Sequence, residues 1–391
     1  MRNPIYLDNN STTPIDKNVL EEMMPYLTTK FGNASSKQHS YGWISEDAVL
    51  QSKERILKLL GGTTEDEFIF TSGATESINL VLRGLAAQNN FQNKQVITCK
   101  TEHSAVLETL GELERSGVKV NYLPVGSNGI LDLNVLQEAL KIDTALVCMM
   151  IANNETGVLQ PIREITSMAH KHGALLFTDA SQAFGKIQID IQDLEIDLLA
   201  CSAHKIYGPK GVGGLFIKNR KPKIKLKSQI TGGGQQQNLR SGTLNVPGIV
   251  GFGKAAEIAG KLMPEESKNL SFLRNKLENS LLQIPFSNLN GDLKNRLPHV
   301  TNLRFDFILA HQLLNKVPDI AFSTGSACNS ETSEPSHVLL SMGLTEKEVK
   351  SSFRLALGRM NTLEEIEYSA MHISNFIDVL RTSNPIWKKA V

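Results

Sequence analysis

Short strand-like segments alternate with amphipathic helical segments over residues 65–218, and this alternation constrains the fold more than any other feature. The strand candidates are EFIFT, QVITC, KVNYLPV, TALVCMMI, ALLFTD, DLLACSA and GGLFIK. The helix candidates between the earlier strands are TESINLVLRGLAA, SAVLETLGELERSG, DLNVLQEAL and REITSMAHKHG. This pattern predicts an α/β domain with a mostly parallel sheet. No helix separates the last two strand candidates, so we expect one of them to be antiparallel.

The pattern changes after Val246. A long helical stretch begins there, and we expect Pro264 to break or kink it because proline removes a helical hydrogen bond. Shorter strand-like and helical pieces follow, which predict a smaller α+β domain.

The composition disfavours several kinds of partner. A formal net charge of +1 gives no electrostatic reason to expect binding to nucleic acid or to an anionic membrane. The N-terminal residues turn polar too early for a signal peptide, and no segment has the ~18 apolar residues that a membrane span needs. The four cysteines lie far apart, which disfavours a zinc site and fits a reducing compartment. We therefore expect a cytoplasmic globular protein.

Polar residues follow several predicted strands, at the sheet edge where open α/β sheets bind ligands. FTSGATES leads from a strand into a helix that begins near Ala74 and Thr75, and the free N–H groups of such a helix start suit a phosphate. An ordinary helix cap with Glu76 in the first turn explains the same residues equally well. Asp179 ends another strand, with Gln182 three residues later, and a capped turn is again an equal alternative.

His103 and Lys205 also follow predicted strands. Taken alone, His103 fits a cap or core position better than a catalytic one, and Lys205 fits a solvated loop lysine. Together with the other strand-end residues, however, they match the needs of pyridoxal phosphate. Lysine bonds the aldehyde, aspartate keeps the ring nitrogen protonated, an aromatic ring such as that of His103 stacks on the pyridine, and a helix start holds the phosphate.

Two residues of the C-terminal part are further candidates. Cys328 lies in a polar segment rich in Ser, Thr and Gly, which is typical of an exposed loop and of a nucleophile, although a solvated bystander fits equally well. Cys148 and Cys201 instead lie in apolar strands, as buried structural cysteines do. Arg354 lies within an apolar run, where it suits either a substrate carboxylate or a structural salt bridge.

The whole chain resembles the NifS/IscS-type cysteine desulfurases. The segments that carry the resemblance are YLDNNSTTP, FTSGATES, TEHSAV, NNETGVLQPI, TDASQAFGK, SAHKIYGPKGVGGL, LRSGTLNV, STGSACNS and LEEIEYSAMHISNFIDVLR. The resemblance implies the type I pyridoxal phosphate-dependent transferase fold, in which a seven-stranded, mostly parallel sheet forms the large domain. It implies a large cofactor-binding domain over residues 16–257, and a small domain from residues 1–15 and 258–391 that carries the cysteine loop. It also implies a homodimer that converts L-cysteine to L-alanine and leaves the sulfur as a persulfide.

The resemblance implies a role for each matching residue. Lys205 matches the lysine that bonds the cofactor, Asp179 the partner of the ring nitrogen, and Cys328 the persulfide-forming nucleophile. His103 matches the stacking residue and is our candidate acceptor of the substrate thiol proton, and Gln182 matches the donor to the ring hydroxyl. The matches to the phosphate-binding residues are Ala74, Thr75, Ser202, His204 and, from the other subunit, Thr243. Asn154 and Arg354 match the positions that hold the substrate carboxylate.

The sulfur is expected to go to an iron–sulfur scaffold protein or another acceptor, with thiolated tRNA as a further destination. The segment TGGGQQQNLRSGT departs from the family pattern around its glycines, and the chain stops at NPIWKKAV without the longer tail of some relatives. The partner is therefore less clearly defined than the chemistry. The alternatives are a selenocysteine lyase or another pyridoxal lyase on the same scaffold, and a non-catalytic sulfur-transfer scaffold.

Overall fold

A central sheet of seven strands dominates the computed structural model, which describes residues 4–324, 335–385 and 387. The strands are β1 (Ile5–Tyr6), β2 (Glu67–Thr71), β3 (Gln95–Cys99), β4 (Lys119–Leu123), β5 (Thr144–Cys148), β6 (Leu175–Asp179), β7 (Leu198–Ser202), β8 (Gly213–Ile217), β9 (Ser287–Leu289), β10 (Val300–Phe305), β11 (Ile320–Ala321) and β12 (Ser352–Ala356). The α-helices are α1 (Lys17–Thr28), α2 (Ser40–Leu59), α3 (Ala74–Ala86), α4 (Ser104–Arg115), α5 (Leu133–Ala139), α6 (Ile162–Lys171), α7 (Val246–Leu281), α8 (Ala310–Lys316), α9 (His337–Ser341), α10 (Glu346–Lys350) and α11 (Leu363–Thr382). Cys328 lies outside the described residues.

The central sheet has the strand order β2-β8-β7-β6-β5-β3-β4. Its neighbouring strands are parallel except at β8, which runs antiparallel to both β2 and β7. The predicted mostly parallel sheet is confirmed, and so is the antiparallel strand among the last two of the alternating region.

Helices cover both faces of this sheet. In β5, Val147 joins the core cluster that contains residues of α5 and α6, whereas Leu146 and Cys148 join the cluster on the side of α3 and α4. Successive side chains of a strand point to opposite faces, so a strand covered on both sides needs an almost continuous apolar run. This is why TALVC and its neighbours carry no alternation of polar and apolar residues.

The long helix α7 joins the two parts of the chain. The expectation from the sequence is a break or a kink at Pro264. The break is wrong, because α7 continues through this proline as one helix, and the kink stays a prediction. Its first half buries Ile249 and Phe252 in the core of the central sheet, and its second half buries Leu273 and Leu277 in a separate core. Packing on both sides of the proline therefore outweighs a helix penalty of about 3 kcal/mol.

The C-terminal part contains a three-stranded antiparallel sheet, in the order β12-β10-β9. Its core also contains residues of α8, α11 and the second half of α7, together with Ile5 and Leu7 from the N-terminal segment. This segment is held there because β1 pairs in parallel with β11. The pairing places Ile5 and Tyr6 with the C-terminal part, while the assignment of residues 1–15 to the small domain and the boundaries at 15/16 and 257/258 stay a prediction.

Candidate active site

A cavity of about 510 Å³ opens where the carboxyl ends of β2, β3, β5, β6 and β7 meet at one edge of the central sheet. The candidate residues that line it are Ala74, Thr75, His103, Asn154, Asp179, Gln182, Ser202, His204 and Lys205. Arg354 and Thr243 are not among the described residues of its wall. The topology explains this convergence, because β2 runs in the same direction as β7 although the two strands are separated by β8.

The start of α3 forms one end of the cavity. Within the described residues, the backbone N–H groups of Ala74 and Thr75 have no hydrogen-bond acceptor. Gly73 precedes them with a φ of 157°, a backbone conformation that residues other than glycine rarely adopt. Unpaired N–H groups at the positive end of a helix dipole form a binding site for an anion such as phosphate. No side chain caps α3. This supports the interpretation of FTSGATES as a phosphate-binding helix start over the alternative of an ordinary helix cap.

Glu76 connects this helix start to the segment that carries Thr243. Its carboxylate accepts a hydrogen bond from the Ser72 backbone at 2.7 Å and another from Arg240 Nε at 2.9 Å. Burial opposes ionisation of Glu76, but the hydrogen bonds from Arg240 and Ser72 outweigh it and lower the pKa of this carboxyl. Thr243 itself is exposed, three residues after Arg240.

Gly213 in β8 packs against Gly73. A Cβ atom at position 213 would lie 2.6 Å from Gly73 Cα and 2.7 Å from the carbonyl oxygen of Cys201. We expect Gly213→Ala to displace the start of α3, to weaken binding of a phosphate-bearing ligand about tenfold or more and to lower the free energy of unfolding by about 1–3 kcal/mol. Equilibrium binding and chemical denaturation measure both effects. Gly111→Ala, where a Cβ meets only the tip of Arg115 at 3.8 Å, is the control; equal affinity of the two variants would contradict the expectation.

Lys205 reaches the cavity from the end of β7. A single turn of 3₁₀ helix, Ala203–Lys205, follows that strand directly and places the half-buried lysine at the sheet edge. Its Nζ donates hydrogen bonds to the carbonyl oxygens of Asn10 and, at 2.7 Å, of Ser11. Backbone carbonyls of the N-terminal segment therefore compensate the desolvation of this amine.

Asp179 and Gln182 lie beside it, at the end of β6. Asp179 is 7% exposed, and its Oδ1 accepts hydrogen bonds from the backbone N–H of Ser181 at 2.8 Å and from its hydroxyl at 2.5 Å. Gln182 donates from Nε2 to the carbonyl oxygen of Asn10 at 3.1 Å. Asp179 thus has the turn-capping role considered from the sequence, while its carboxylate also faces the cavity.

Two histidines line the cavity. His103 caps α4 by accepting the Ala105 backbone N–H at Nδ1 over 3.1 Å, so a neutral ring carries its proton on Nε2. His204 contacts Thr12 Oγ1 through Nδ1 at 3.1 Å. Burial, followed by the positive charges of Lys205 and Lys210, lowers the pKa of His204 to about 4. His204 is therefore a neutral hydrogen-bonding group at neutral pH.

Arg354 lies behind the cavity wall rather than in it. This buried side chain of β12 donates from NH2 to Asp8 Oδ1 at 2.6 Å and to Ser11 Oγ at 2.9 Å. Its NH1 donates to the carbonyl oxygen of Asn154 at 2.8 Å. Of the two interpretations left open by the sequence, the structure contains the salt bridge, which pairs Arg354 with Asp8. Separate hydrogen bonds join Arg354 to two residues of the cavity wall, Ser11 and Asn154.

The N-terminal segment contributes functional residues that sequence reasoning missed. Ser11 and Thr12 line the cavity, and Asn10 accepts hydrogen bonds from both Lys205 and Gln182. The segment YLDNNSTTP carried part of the family resemblance, but nothing in its local pattern shows that it would reach the central sheet. Lys210, outside this segment, also lines the cavity and was not among the residues expected from the sequence.

The cysteines of the described part are unsuited to nucleophilic chemistry. Cys99, Cys148 and Cys201 are fully buried, as expected for Cys148 and Cys201, and none of the three lines the cavity. Burial raises the pKa of Cys99 to about 11, and it also raises the pKa values of Cys148 and Cys201 well above the usual range of a thiol. A thiolate is needed for attack on sulfur, so these three side chains are inert at neutral pH.

Residues 5–368 match the model of the family "Aminotransferase class-V". The chain belongs to the class-V aminotransferase family. It is 44% identical to "Cysteine desulfurase IscS" of Anaeromyxobacter dehalogenans, with 99% of this chain and 96% of the relative aligned. A solved structure named "NifS-like protein" has a TM-score of 0.89 and 36% identity, and covers 96% of this chain and 100% of its own. Another, "SspA in complex with cysteine", has a TM-score of 0.81 and 34% identity, and covers 90% and 98% of the two chains.

The cavity fits the cofactor on which class-V aminotransferases depend, pyridoxal phosphate. The unpaired N–H groups of α3 suit the phosphate, and the Gly73–Gly213 contact leaves room there because neither residue has a Cβ. Lys205 and Asp179 place an amine and a carboxylate in the same wall. The residues present therefore suit this cofactor, and both the expected type I fold and the NifS/IscS-type resemblance are confirmed.

Proposed function

We propose that this protein is a pyridoxal phosphate-dependent cysteine desulfurase, which converts L-cysteine to L-alanine and transfers the sulfur to Cys328. The observation that carries the proposal is the convergence of the Lys205 amine, the Asp179 carboxylate and the unpaired N–H groups of α3 on one cavity. The curated relative from Anaeromyxobacter is named for this activity, and a similar solved structure is described as a complex with cysteine.

The residues around the cofactor have separate tasks in this proposal. Bound pyridoxal phosphate supplies an electron sink for the carbon next to the substrate carboxylate. Lys205 would bond the cofactor and move the proton of that carbon, and Asp179 would hold a proton on the ring nitrogen. His103 would stack on the ring, and Gln182 would donate to the ring hydroxyl. The phosphate would be held by Ala74, Thr75, Ser202 and His204.

Asn154 and Arg354 hold the substrate carboxylate in this proposal. Asn154 lines the cavity, whereas Arg354 is paired with Asp8 behind the wall. A bidentate grip by Arg354 therefore requires a substrate carboxylate to replace some of its present partners, Asp8 and Ser11. Before substrate binds, the ion pair with Asp8 offsets the cost of burying the charge of the Arg354 guanidinium.

Cys328 is the proposed nucleophile. The raised pKa values of the three buried thiols support this assignment, because they leave no reactive alternative among the described residues. His103 is the candidate acceptor of the substrate thiol proton. Its Nδ1 now accepts the Ala105 N–H, so the ring must release that hydrogen bond when it takes up a proton there.

A homodimer completes the proposed site. Large apolar side chains are exposed on α1, on α2 and between them, which is typical of a surface covered by another chain. They are Leu20, Met24, Leu27, Phe31, Tyr41, Trp43, Ile44 and Leu50. Thr243 is exposed and outside the cavity of its own chain, as a phosphate contact donated to the other subunit must be.

Mixed dimers test the donation of Thr243. Lys205→Ala and Thr243→Ala each damage both sites of a homodimer. If Thr243 acts across the interface, a dimer with one subunit of each variant contains one intact site, and we expect about half of the wild-type activity per dimer. If Thr243 acts within its own chain, the mixed dimer has no intact site, and the absence of recovered activity would refute the donation.

The proposed sulfur acceptor is an iron–sulfur scaffold protein, with thiolated tRNA as a further destination of the sulfur. The proposed location is the cytoplasm, whose reducing conditions keep Cys328 a thiol between turnovers. In the described part of the chain, no helix has both the length and the apolar character needed to cross a membrane.

The activity is tested by incubating the cofactor-loaded protein with L-cysteine and a thiol reductant. We expect equal amounts of alanine and sulfide. L-selenocysteine is the comparison substrate, and Cys328→Ser should abolish turnover of cysteine far more than turnover of selenocysteine. Equal effects on the two substrates, or no alanine from cysteine, would overturn the assignment in favour of another pyridoxal enzyme.

A further inference from the structure

Asn10 is a buried amide between the cavity wall and the C-terminal part of the chain. The residue is 1% exposed, and the two polar atoms of its side chain have different partners. Nδ2 donates to the carbonyl oxygen of Asn154 at 3.0 Å, and Oδ1 lies 2.9 Å from Nε2 of His299. Because His299 directly precedes β10, the Asn10 side chain links a residue of the wall to the sheet of β9, β10 and β12.

His299 is the hydrogen-bond donor in its contact with Asn10. Since the Asn10 amide donates through Nδ2, its Oδ1 is an acceptor, and Nε2 of His299 carries the proton. Burial lowers the pKa of His299 well below its ordinary value, and nearby positive side chains lower it further, so the ring is neutral. Its Nδ1 is buried and has no hydrogen-bond partner in the described part of the chain, which costs free energy. The contact with Asn10 is therefore the polar function that this ring performs.

The carbonyl oxygen of Asn154 has a second donor, the buried guanidinium of Arg354. NH1 of Arg354 donates to this carbonyl at 2.8 Å, while NH2 donates to Asp8 and Ser11. Nε of Arg354 is buried without an acceptor among the described residues, so the guanidinium has a donor left for a carboxylate. A ligand that replaces Asp8 or Ser11 leaves the NH1 bond intact. The Asn154 carbonyl is thus the fixed point about which Arg354 can change its other partners.

The backbone of Asn10 is attached to the same wall. Its carbonyl oxygen accepts hydrogen bonds from Gln182 Nε2 at 3.1 Å and from Lys205 Nζ. These bonds do not involve the Asn10 side chain. Asn10→Ala therefore removes the support of the Asn154 carbonyl while the N-terminal segment keeps its backbone attachment to the cavity.

We propose that Asn10 is a positioning residue for the substrate carboxylate: its amide, held by His299, supports the Asn154 carbonyl on which Asn154 and Arg354 are aligned. This inference rests on the proposed function, in which the side chains of Asn154 and Arg354 hold that carboxylate. Because Asn10 acts through the carboxylate site, its loss weakens the binding of ligands that carry a carboxylate and spares ligands that lack one.

Binding of two amines to the full-length, cofactor-loaded protein tests this role. L-alanine and ethylamine differ by the carboxylate alone, and neither contains sulfur, so neither can donate sulfur. Visible absorbance of the bound cofactor reports the affinity for each amine. In Asn10→Ala and in His299→Leu, we expect the affinity for L-alanine to fall about tenfold, because small displacements of binding groups have large effects. The affinity for ethylamine should stay within about twofold of the wild type, since its binding does not depend on the displaced groups.

Three further variants serve as controls. His299→Gln has an amide nitrogen that can donate in place of Nε2, so it should keep most of the affinity for L-alanine. The double variant Asn10→Ala/His299→Leu should bind L-alanine no more weakly than Asn10→Ala, because His299 acts through Asn10. Gln95→Ala removes buried amide bonds to Ala139 and Thr144 at the end of β3 opposite the cavity. It should leave both affinities unchanged.

An equal loss of affinity for both amines in Asn10→Ala, a His299→Gln variant as weak as His299→Leu, or a further loss in the double variant would overturn the positioning role. If Asn10→Ala does not fold, the two His299 variants decide between the same outcomes. A wild-type protein that binds L-alanine no more tightly than ethylamine would instead overturn the proposed carboxylate site of Asn154 and Arg354, so the two failures are distinguishable.

Discussion

Lys205→Ala is expected to lower the turnover of L-cysteine by a factor on the order of 10⁴, since under the proposed function it removes both the covalent attachment of the cofactor and the group that moves the substrate proton. The variant should also lose the visible absorbance that a lysine-bonded pyridoxal phosphate gives. Absorbance spectra and steady-state alanine production measure the two losses. The Lys205 amine donates to carbonyl oxygens of the N-terminal segment, so its removal should leave the rest of the cavity wall in place.

Lys210→Ala is the matched control for this change. Lys210 also lines the cavity, but it is exposed and stands at its rim. The Lys210→Ala variant should keep the visible absorbance of the bound cofactor and most of the wild-type activity. If the Lys205→Ala protein still bonds the cofactor covalently, or if the Lys210→Ala protein does not, then Lys205 is not the lysine that attaches the cofactor.

Asp179→Asn is expected to lower kcat by a factor on the order of 10²–10³, within the range that a positioned proton-holding group contributes. The amide oxygen still accepts both hydrogen bonds from Ser181, so the local turn is kept. The change removes the negative charge that would stabilise a protonated ring nitrogen, and with it the capacity of the cofactor to accept electrons. Steady-state kinetics with L-cysteine measure the loss, while cofactor content should remain near that of the wild type.

Asp132→Asn gives the comparison. Asp132 is an exposed cap of α5 that accepts the Asn134 backbone N–H at 2.8 Å, so the same chemical change occurs there without any contact with the site. It should leave kcat unchanged. If Asp179→Asn is equally harmless, the carboxylate at the end of β6 serves only as a turn cap.

The central sheet and the strand-end residues could be predicted from the sequence because both follow from local pattern and simple topology. A strand buried on both faces must be mostly apolar, and β5, β6 and β7 are, with Asp179 and Ser202 at the carboxyl ends of β6 and β7. Parallel strands place their carboxyl ends at one edge, so His103 and Asp179 are brought together without any knowledge of side-chain contacts.

The rest depends on contacts between distant parts of the chain. Ser11 reaches the cavity on the N-terminal segment, whose strand β1 pairs with β11, and no local signal predicts that pairing. The helix α7 continues through Pro264 because both of its halves are packed against a core, and local helix propensity does not predict this packing. Arg354 could be predicted as a buried cation that needs a partner, but its choice of Asp8, 346 residues away, is a tertiary property.

The most direct test of the account follows the sulfur atom itself. The cofactor-loaded protein is given L-cysteine with isotopically labelled sulfur, without reductant, and its cysteine peptides are analysed by mass spectrometry. The account predicts one labelled sulfur on the peptide of Cys328 for each alanine released, and none on the peptides of Cys99, Cys148 or Cys201. Label on any of those three peptides, or alanine formed without label on Cys328, would contradict it.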